Sequence, residues 1–187
     1  GDVSFSGKKV SWASNGTHIV FVDGEKGFAY SDGGGVEQLS GDGWYPADTV
    51  TFQDGYFIFN RSGTSQFFIS ELYSIEFDPL KYASAEASPD NLKAVLSDHR
   101  ELWLFGEHSI EIWYNSGDPD FTFARRQGAY IERGVHSSYS MAKMDNSVFW
   151  VDEFGLVHRA HGYQPQRIST HSVEYDIRGE IGDIFAY

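Results

Sequence analysis

Residues 94–115 read AVLSDHRELWLFGEHSIEIWYN. Three apolar runs are separated by two short polar breaks. The runs are Ala94-Val95-Leu96, Leu102-Trp103-Leu104-Phe105 and Ile110-Glu111-Ile112-Trp113-Tyr114. The breaks are Ser97-Asp98-His99-Arg100 and Gly106-Glu107-His108-Ser109. Runs of β-branched and aromatic residues bounded by turn formers read as strands. Breaks this short permit only hairpins, so the stretch predicts a three-strand antiparallel meander.

The same pattern recurs along the chain. Relatives of Leu102–Phe105 are His18-Ile19-Val20-Phe21-Val22, Tyr56-Phe57-Ile58-Phe59 and Val148-Phe149-Trp150-Val151. Their last residues, Val22, Phe59, Phe105 and Val151, lie 37, 46 and 46 residues apart. A turn signal precedes each: Asn15-Gly16, Asp54-Gly55, Asp98-His99 and Asp145-Asn146. A polar break and another strand follow each, at Phe28–Ser31, Gln66–Ser70, Ile110–Tyr114 and Leu156–Ala160. Weaker fourth strands are expected at Val36–Leu39, Phe121–Ala124 and Gln166–Ser169.

A period of about 40–45 residues with up to four strands is the signature of propeller blades. The fold class expected is therefore all-β, a β-propeller or propeller fragment of about four meander blades. Units are placed near 10–40, 48–77, 92–125 and 137–170, with the start of another strand at 183–187. Apolar strands without alternation fit, because inner strands of a blade are packed on both faces. A β-sandwich also gives regular short strands. It does not demand that turn and strand recur in one order, so the propeller is preferred. Asp78–Asn91, DPLKYASAEASPDN, interrupts the pattern and reads as an inter-blade excursion with a helical turn near Ser88-Pro89-Asp90. The sequence reads as a single domain, part of a longer chain.

Composition narrows the function. The chain has 187 residues, 17% aromatics and 20 glycines, which suits short strands joined by tight turns. It has no cysteine, which excludes disulfides and cysteine-ligated metals. Its net charge of −13 argues against general affinity for nucleic acid or an anionic membrane. The start, Gly1-Asp2-Val3-Ser4, has neither the basic nor the apolar segment of a secretory signal. Two sequons, Asn15-Gly16-Thr17 and Asn60-Arg61-Ser62, fall in predicted turns.

Residues that could carry chemistry do not form a recognised pattern. The pairs His158/His161 and His99/His108 lack the spacing and neighbours of a metal site, and the histidines read as solvated turn residues. Asp98, Glu107, Glu111 and Asp152 lie near strand ends, where a glycosidase would draw its carboxylates. Each also suits a hairpin. No catalytic, cofactor or metal residue is assigned. Possible partner contacts are Trp44 and Tyr45, on a connection, and Arg125, Arg126 and Arg133, a local basic concentration. Trp44 equally suits a plug between blades, and the arginines suit pairing with internal acids.

Asp98–Glu107 (DHRELWLFGE) resembles the central motif of the packaged-DNA stabilisation proteins of short-tailed bacteriophages, the tail accessory factors. Glu111–Gly117 (EIWYNSG), Gln66–Ser70 (QFFIS) and Gly162–His171 (GYQPQRISTH) are similar to the same family. The resemblance runs from about Trp12 onward. It implies a virion protein without enzymatic activity, assembled in the bacterial host cytoplasm. It implies a homo-oligomeric ring beneath the portal and its adaptor, closing the exit channel and offering attachment for tailspikes and needle. It carries no catalytic residues over. A carbohydrate-binding or carbohydrate-cleaving propeller is the alternative, and an intracellular scaffold propeller the third reading.

Overall fold

The computed structural model describes residues 4–179, 184 and 186. Four antiparallel sheets of four strands follow one another along the chain. Blade 1 holds β1 (Ser11–Ser14), β2 (His18–Val22), β3 (Gly27–Ser31) and β4 (Gly35–Gln38). Blade 2 holds β5 (Val50–Gln53), β6 (Tyr56–Asn60), β7 (Gln66–Ile69) and β8 (Tyr82–Ser84). Blade 3 holds β9 (Leu92–Asp98), β10 (Glu101–Gly106), β11 (Ile110–Asn115) and β12 (Phe123–Ile131). Blade 4 holds β13 (Met141–Met144), β14 (Ser147–Val151), β15 (Val157–His161) and β16 (Gln164–Arg167). Each strand pairs only with its sequence neighbours, so every sheet is a meander. A Greek-key sandwich would need crossovers. Val22, Phe59, Phe105 and Val151 all lie at the ends of second strands, so the repeat read from sequence is a repeat in space.

The first hairpins follow from turn chemistry. Gln53 pairs with Tyr56, Asp98 with Glu101 and Met144 with Ser147, leaving two-residue loops. Asp54-Gly55, His99-Arg100 and Asp145-Asn146 all have positive φ, as a type I′ turn requires. Blade 1 uses a longer turn, in which Asn15 Oδ1 accepts from the Thr17 and His18 amides at 2.9 and 2.7 Å.

Second strands carry the core. Phe57 and Phe59 of β6 point at blade 1, where they meet Val20, Val22 and Ala29. Ile58, between them, points at Leu102, Leu104 and Trp113 of blade 3. Trp103 and Phe105 turn to blade 4 and meet Val148 and Trp150. Each such side chain, fully buried, contributes about 1.5–3 kcal/mol. Both faces of the inner strands are thus covered, which is why the runs do not alternate. The three clusters join blades 1 to 2, 2 to 3 and 3 to 4; among the described residues none joins 4 to 1.

Three expectations need correction. Asp78–Asn91 contains no helical turn. It supplies β8, so blade 2 runs to Ser84, and then brings Asp90 inward to blade 3. Of Phe121–Ala124 only Phe123 and Ala124 are in a strand, and they open the longer β12, which runs to Ile131. The stretch after Ser169, for which no element was expected before residue 183, holds α1 (His171–Gly179), its Glu174 amide bonded to the Thr170 carbonyl. The strand expected at 183–187 lies outside the described residues except Ile184 and Ala186, neither of which is in a strand. Finally, Asn60 is no turn residue. It is fully buried at the end of β6, where its side-chain oxygen accepts from the Thr49 amide and hydroxyl at 2.8 and 2.9 Å.

Candidate functional site

The position after Val22, Phe59, Phe105 and Val151, at or just past the end of each second strand, is the place of a buried polar node. In blade 1 it is Asp23, fully buried, accepting from the amides of Ser6, Glu25 and Lys26 at 2.6, 3.0 and 2.7 Å. In blade 2 it is Asn60. In blade 4 it is Asp152, which accepts from the Phe154 and Leu156 amides, both at 2.9 Å, and pairs with His158 Nε2 at 2.8 Å. Blade 3 has Gly106 there, and Asp90 reaches in from the preceding connection. Its carboxylate holds the His108 amide at 2.7 Å and the Ser109 hydroxyl. A Cβ on Gly106 would lie 2.5 Å from Asp90 Oδ2, so the glycine makes room for a carboxylate borrowed from another segment.

These nodes fix turns. Burial opposes ionisation of Asp23, but the Ser6, Lys26 and Glu25 amides outweigh it and bring the group down to about 2 from 3.8. Asp152 is likewise held below its usual value, His158 and two amides outweighing burial. A carboxyl depressed in the folded protein stabilises it above the unfolded value and loses that contribution as pH falls through the folded one. The melting temperature is therefore expected to fall between pH 4 and pH 2. Asp23→Asn should lower it at pH 7 and flatten that acid limb; an unchanged slope in a melting profile against pH would refute the linkage.

The other carboxylates proposed for chemistry are separately satisfied. Glu111, 2% exposed, accepts from Trp113 Nε1 at 2.8 Å and from the Ala87 amide at 2.6 Å. Glu107 pairs with Lys93 at 2.9 Å. Asp98 meets His99 Nδ1 at 2.7 Å, and His99 Nε2 reaches Asn146 of blade 4 at 2.6 Å. His158 is not a solvated turn residue: it is buried in β15, stacked on Trp150 at 5.4 Å. Sequence reading missed it because its partner Asp152 lies across a turn. Among the described residues no group of three or more His, Asp or Glu gathers as a metal site.

The expected contact residues do not converge. Trp44 is half-buried between blades 1 and 2, with ring centroids 5.3–5.7 Å from Phe59, Phe68 and Phe77. A Cβ on Gly27 would come within 2.4 Å of its ring. Tyr45 lies beside it under Arg61, whose guanidinium is 4.0 Å from the ring centre. Arg125 pairs with Glu111 at 3.6 Å, Arg126 with Glu101 at 2.9 Å and Arg133 with Asp152 at 3.9 Å. Glu101 also accepts from the Tyr163 hydroxyl, so Arg126 buttresses a link between blades 3 and 4.

Among the described residues, the outer side of blade 1 exposes apolar side chains. β1 and β2 alternate, unlike the inner strands. Ala13, Val20 and Val22 face blade 2. Register places Trp12, Phe21 and Phe28 in one row on the opposite face, and Ser14, Ile19, Tyr30 and Val36 in the next. Phe5 covers Phe28 at 5.3 Å, but Trp12 remains 63% exposed. At the axis, inner-strand residues of all four blades line a cavity of about 320 Å³. There the Tyr139 hydroxyl donates to the Lys9 and Asp48 carbonyls at 2.9 and 3.3 Å. Burial, then the charges of Asp48 and Asp23, push this phenol up to about 12.

Comparison with known proteins bears on this arrangement. The sequence matches the phage stabilisation family described as "Bacteriophage P22 Gp10, beta-propeller" over residues 1–182. The chain belongs to that family. It is a bacteriophage packaged-DNA stabilisation protein by family, with the propeller architecture the blades display. No curated protein matches it. Among solved structures it resembles the computationally designed Ika4 protein at 15% identity and TM-score 0.52, covering 86% of this chain and 98% of that one. It resembles BamB from Moraxella catarrhalis at 11% and 0.53, covering 83% and 47%. It also resembles the extracellular domain of the one-component system BT4673 from B. thetaiotaomicron at 12% and 0.60, covering 92% and 24%. The chain thus spans nearly all of the designed protein but less than half of the two natural ones. At these identities the likeness concerns fold alone.

Proposed function

We propose that this family member works as a non-enzymatic part of a phage tail hub. Copies assemble below the portal and its adaptor after packaging, close the exit channel, and carry tailspikes and needle. Assembly takes place in the bacterial host cytoplasm, and the product sits in the tail of the virion. The observation that carries this reading is the family match over residues 1–182. The chemistry supports it. The buried carboxylates are spent on turns and blade contacts, whereas the outer side of blade 1 exposes apolar surface. With a charge of −13 the chain retains DNA by blocking its exit rather than by gripping phosphates. Partner contacts are proposed at the exposed sides of Arg125, Arg126 and Arg133, and at the Trp44-Tyr45 connection.

The test is genome retention. DNA-filled capsids assembled without this protein should release their DNA, and capsids supplied with it should sediment as full particles. Capsids that stay full in its absence would overturn the reading.

A further inference from the structure

We infer that the cleft between blades 2 and 3 docks an extended segment of another protein in which cationic and aliphatic side chains alternate. The hub reading assigns partners but no site of this kind, and the cleft stands on its own chemistry.

The cleft has a volume of about 360 Å³. One wall belongs to blade 2: Tyr56 of β6, Ile69 at the end of β7, and Glu71 and Leu72 of the connection to β8. The other is the loop from β11 to β12, with Asp118 and Pro119. All the lining residues fall within 54–122. Blades 2 and 3 are packed on each other beneath it through Ile58, Phe67 and Trp113, so the cleft depends on neither end of the chain.

Its walls are held in place before any segment arrives. Lys81 Nζ donates to the Pro119 and Asp120 carbonyls at 2.8 and 2.9 Å, which ties one wall to the other. The hydroxyls of Thr122 and Tyr56 meet across the blades at 3.3 Å. Ser116 donates to the Thr122 carbonyl from its amide and its hydroxyl, at 2.8 and 2.9 Å, and closes the loop on itself. A groove fixed in advance loses little conformational freedom on binding. Beside it Tyr73 sits at φ +54, a costly conformation for a bulky residue, held by the bond from its amide to the Gly55 carbonyl at 2.7 Å. That strained corner keeps Leu72 and Tyr73 54% and 66% exposed, an apolar lip on the cleft.

Charge selects the occupant. Glu71 on one wall and Asp118 on the other are exposed and in no ion pair among the described residues. Asp54 has Arg100 alone, at 3.5 Å, on a side chain 84% exposed. The one cation in the lining, Lys81, is already committed to two carbonyls. Aliphatic surface between unpaired carboxylates complements a segment that carries lysine or arginine beside leucine-like side chains. A second copy of this chain, at −13, is repelled, and so is a phosphate backbone.

Fluorescence anisotropy of the full chain with a short labelled peptide of alternating leucine and lysine tests this. Saturable binding is expected, and the matching leucine–glutamate peptide should not bind. Leu72→Ser alone, and Glu71→Gln with Asp118→Asn together, should each weaken binding roughly tenfold. Asp32→Asn with Asp42→Asn removes the same charge from exposed positions of blade 1 and its following connection, and should leave binding within about twofold. These side chains are all exposed, so melting curves should match the parent. No saturable binding, equal binding of the acidic peptide, or equal weakening by the two charge-removing pairs would each overturn the inference. Genome retention reads the hub separately: a chain that retains DNA yet ignores the lysine peptide sinks this inference alone.

Discussion

Phe59→Ala is expected to destabilise the protein by about 3–5 kcal/mol, the range for truncating a fully buried aromatic ring. Phe59 has no exposed surface. Its ring stacks on Phe68 at 5.0 Å and meets Trp44 at 5.4 Å and Phe77 at 5.5 Å. Those neighbours come from β7, the connection ahead of blade 2 and the connection ahead of β8, so no single element can shift to fill the void. For a chain of this size the loss corresponds to a melting temperature lower by roughly 6–20 °C. Phe59→Leu should cost well under half as much, since it keeps most of the volume. Thermal melts of the three proteins measure this; an alanine variant within 1–2 °C of the parent would show that the blade 1–blade 2 core is not where the model of packing puts it.

Asp152→Ala should cost about 3 kcal/mol, through unmet hydrogen bonds rather than a cavity. The substitution strips the Phe154 and Leu156 amides and the buried His158 of their acceptor at once. His158 is 4% exposed and cannot turn to water without leaving Trp150. Urea titration reads the loss as a shift in midpoint. Asp152→Asn, which retains one acceptor oxygen, should fall between the parent and Asp152→Ala. A double variant, Asp152→Ala with His158→Phe, should recover part of the loss. If it is instead additive, the two side chains do not act as a pair.

Much of this fold was legible in the chain because its hairpins are local. Asp54-Gly55 and Asp145-Asn146 announce turns whose backbone geometry those residue types favour. The apolar runs of β6, β10 and β14 announce strands packed on both faces. What escaped had weak local signals. β8 is Tyr-Ala-Ser, with little strand propensity, and exists because β7 offers it an edge. α1 is short and mostly polar; it depends on Glu174, which Arg167 holds through two bonds at 2.6 and 2.7 Å. Asp90 looked like a helix start, yet its carboxylate accepts from the His108 amide eighteen residues onward. The candidate surface was the least legible part. In sequence Trp12 is indistinguishable from Trp103 or Trp150; in the fold the first is 63% exposed and the other two are buried.

The strictly sequential pairing within each sheet has a consequence for biosynthesis. Every strand finds its hydrogen-bonding partner among residues the ribosome has just released. A blade can therefore complete itself before the next one emerges, and each finished blade offers an apolar wall on which its successor condenses. Maturation in this scheme is vectorial, and a stalled or mistranslated blade exposes its predecessor's wall, not the whole interior.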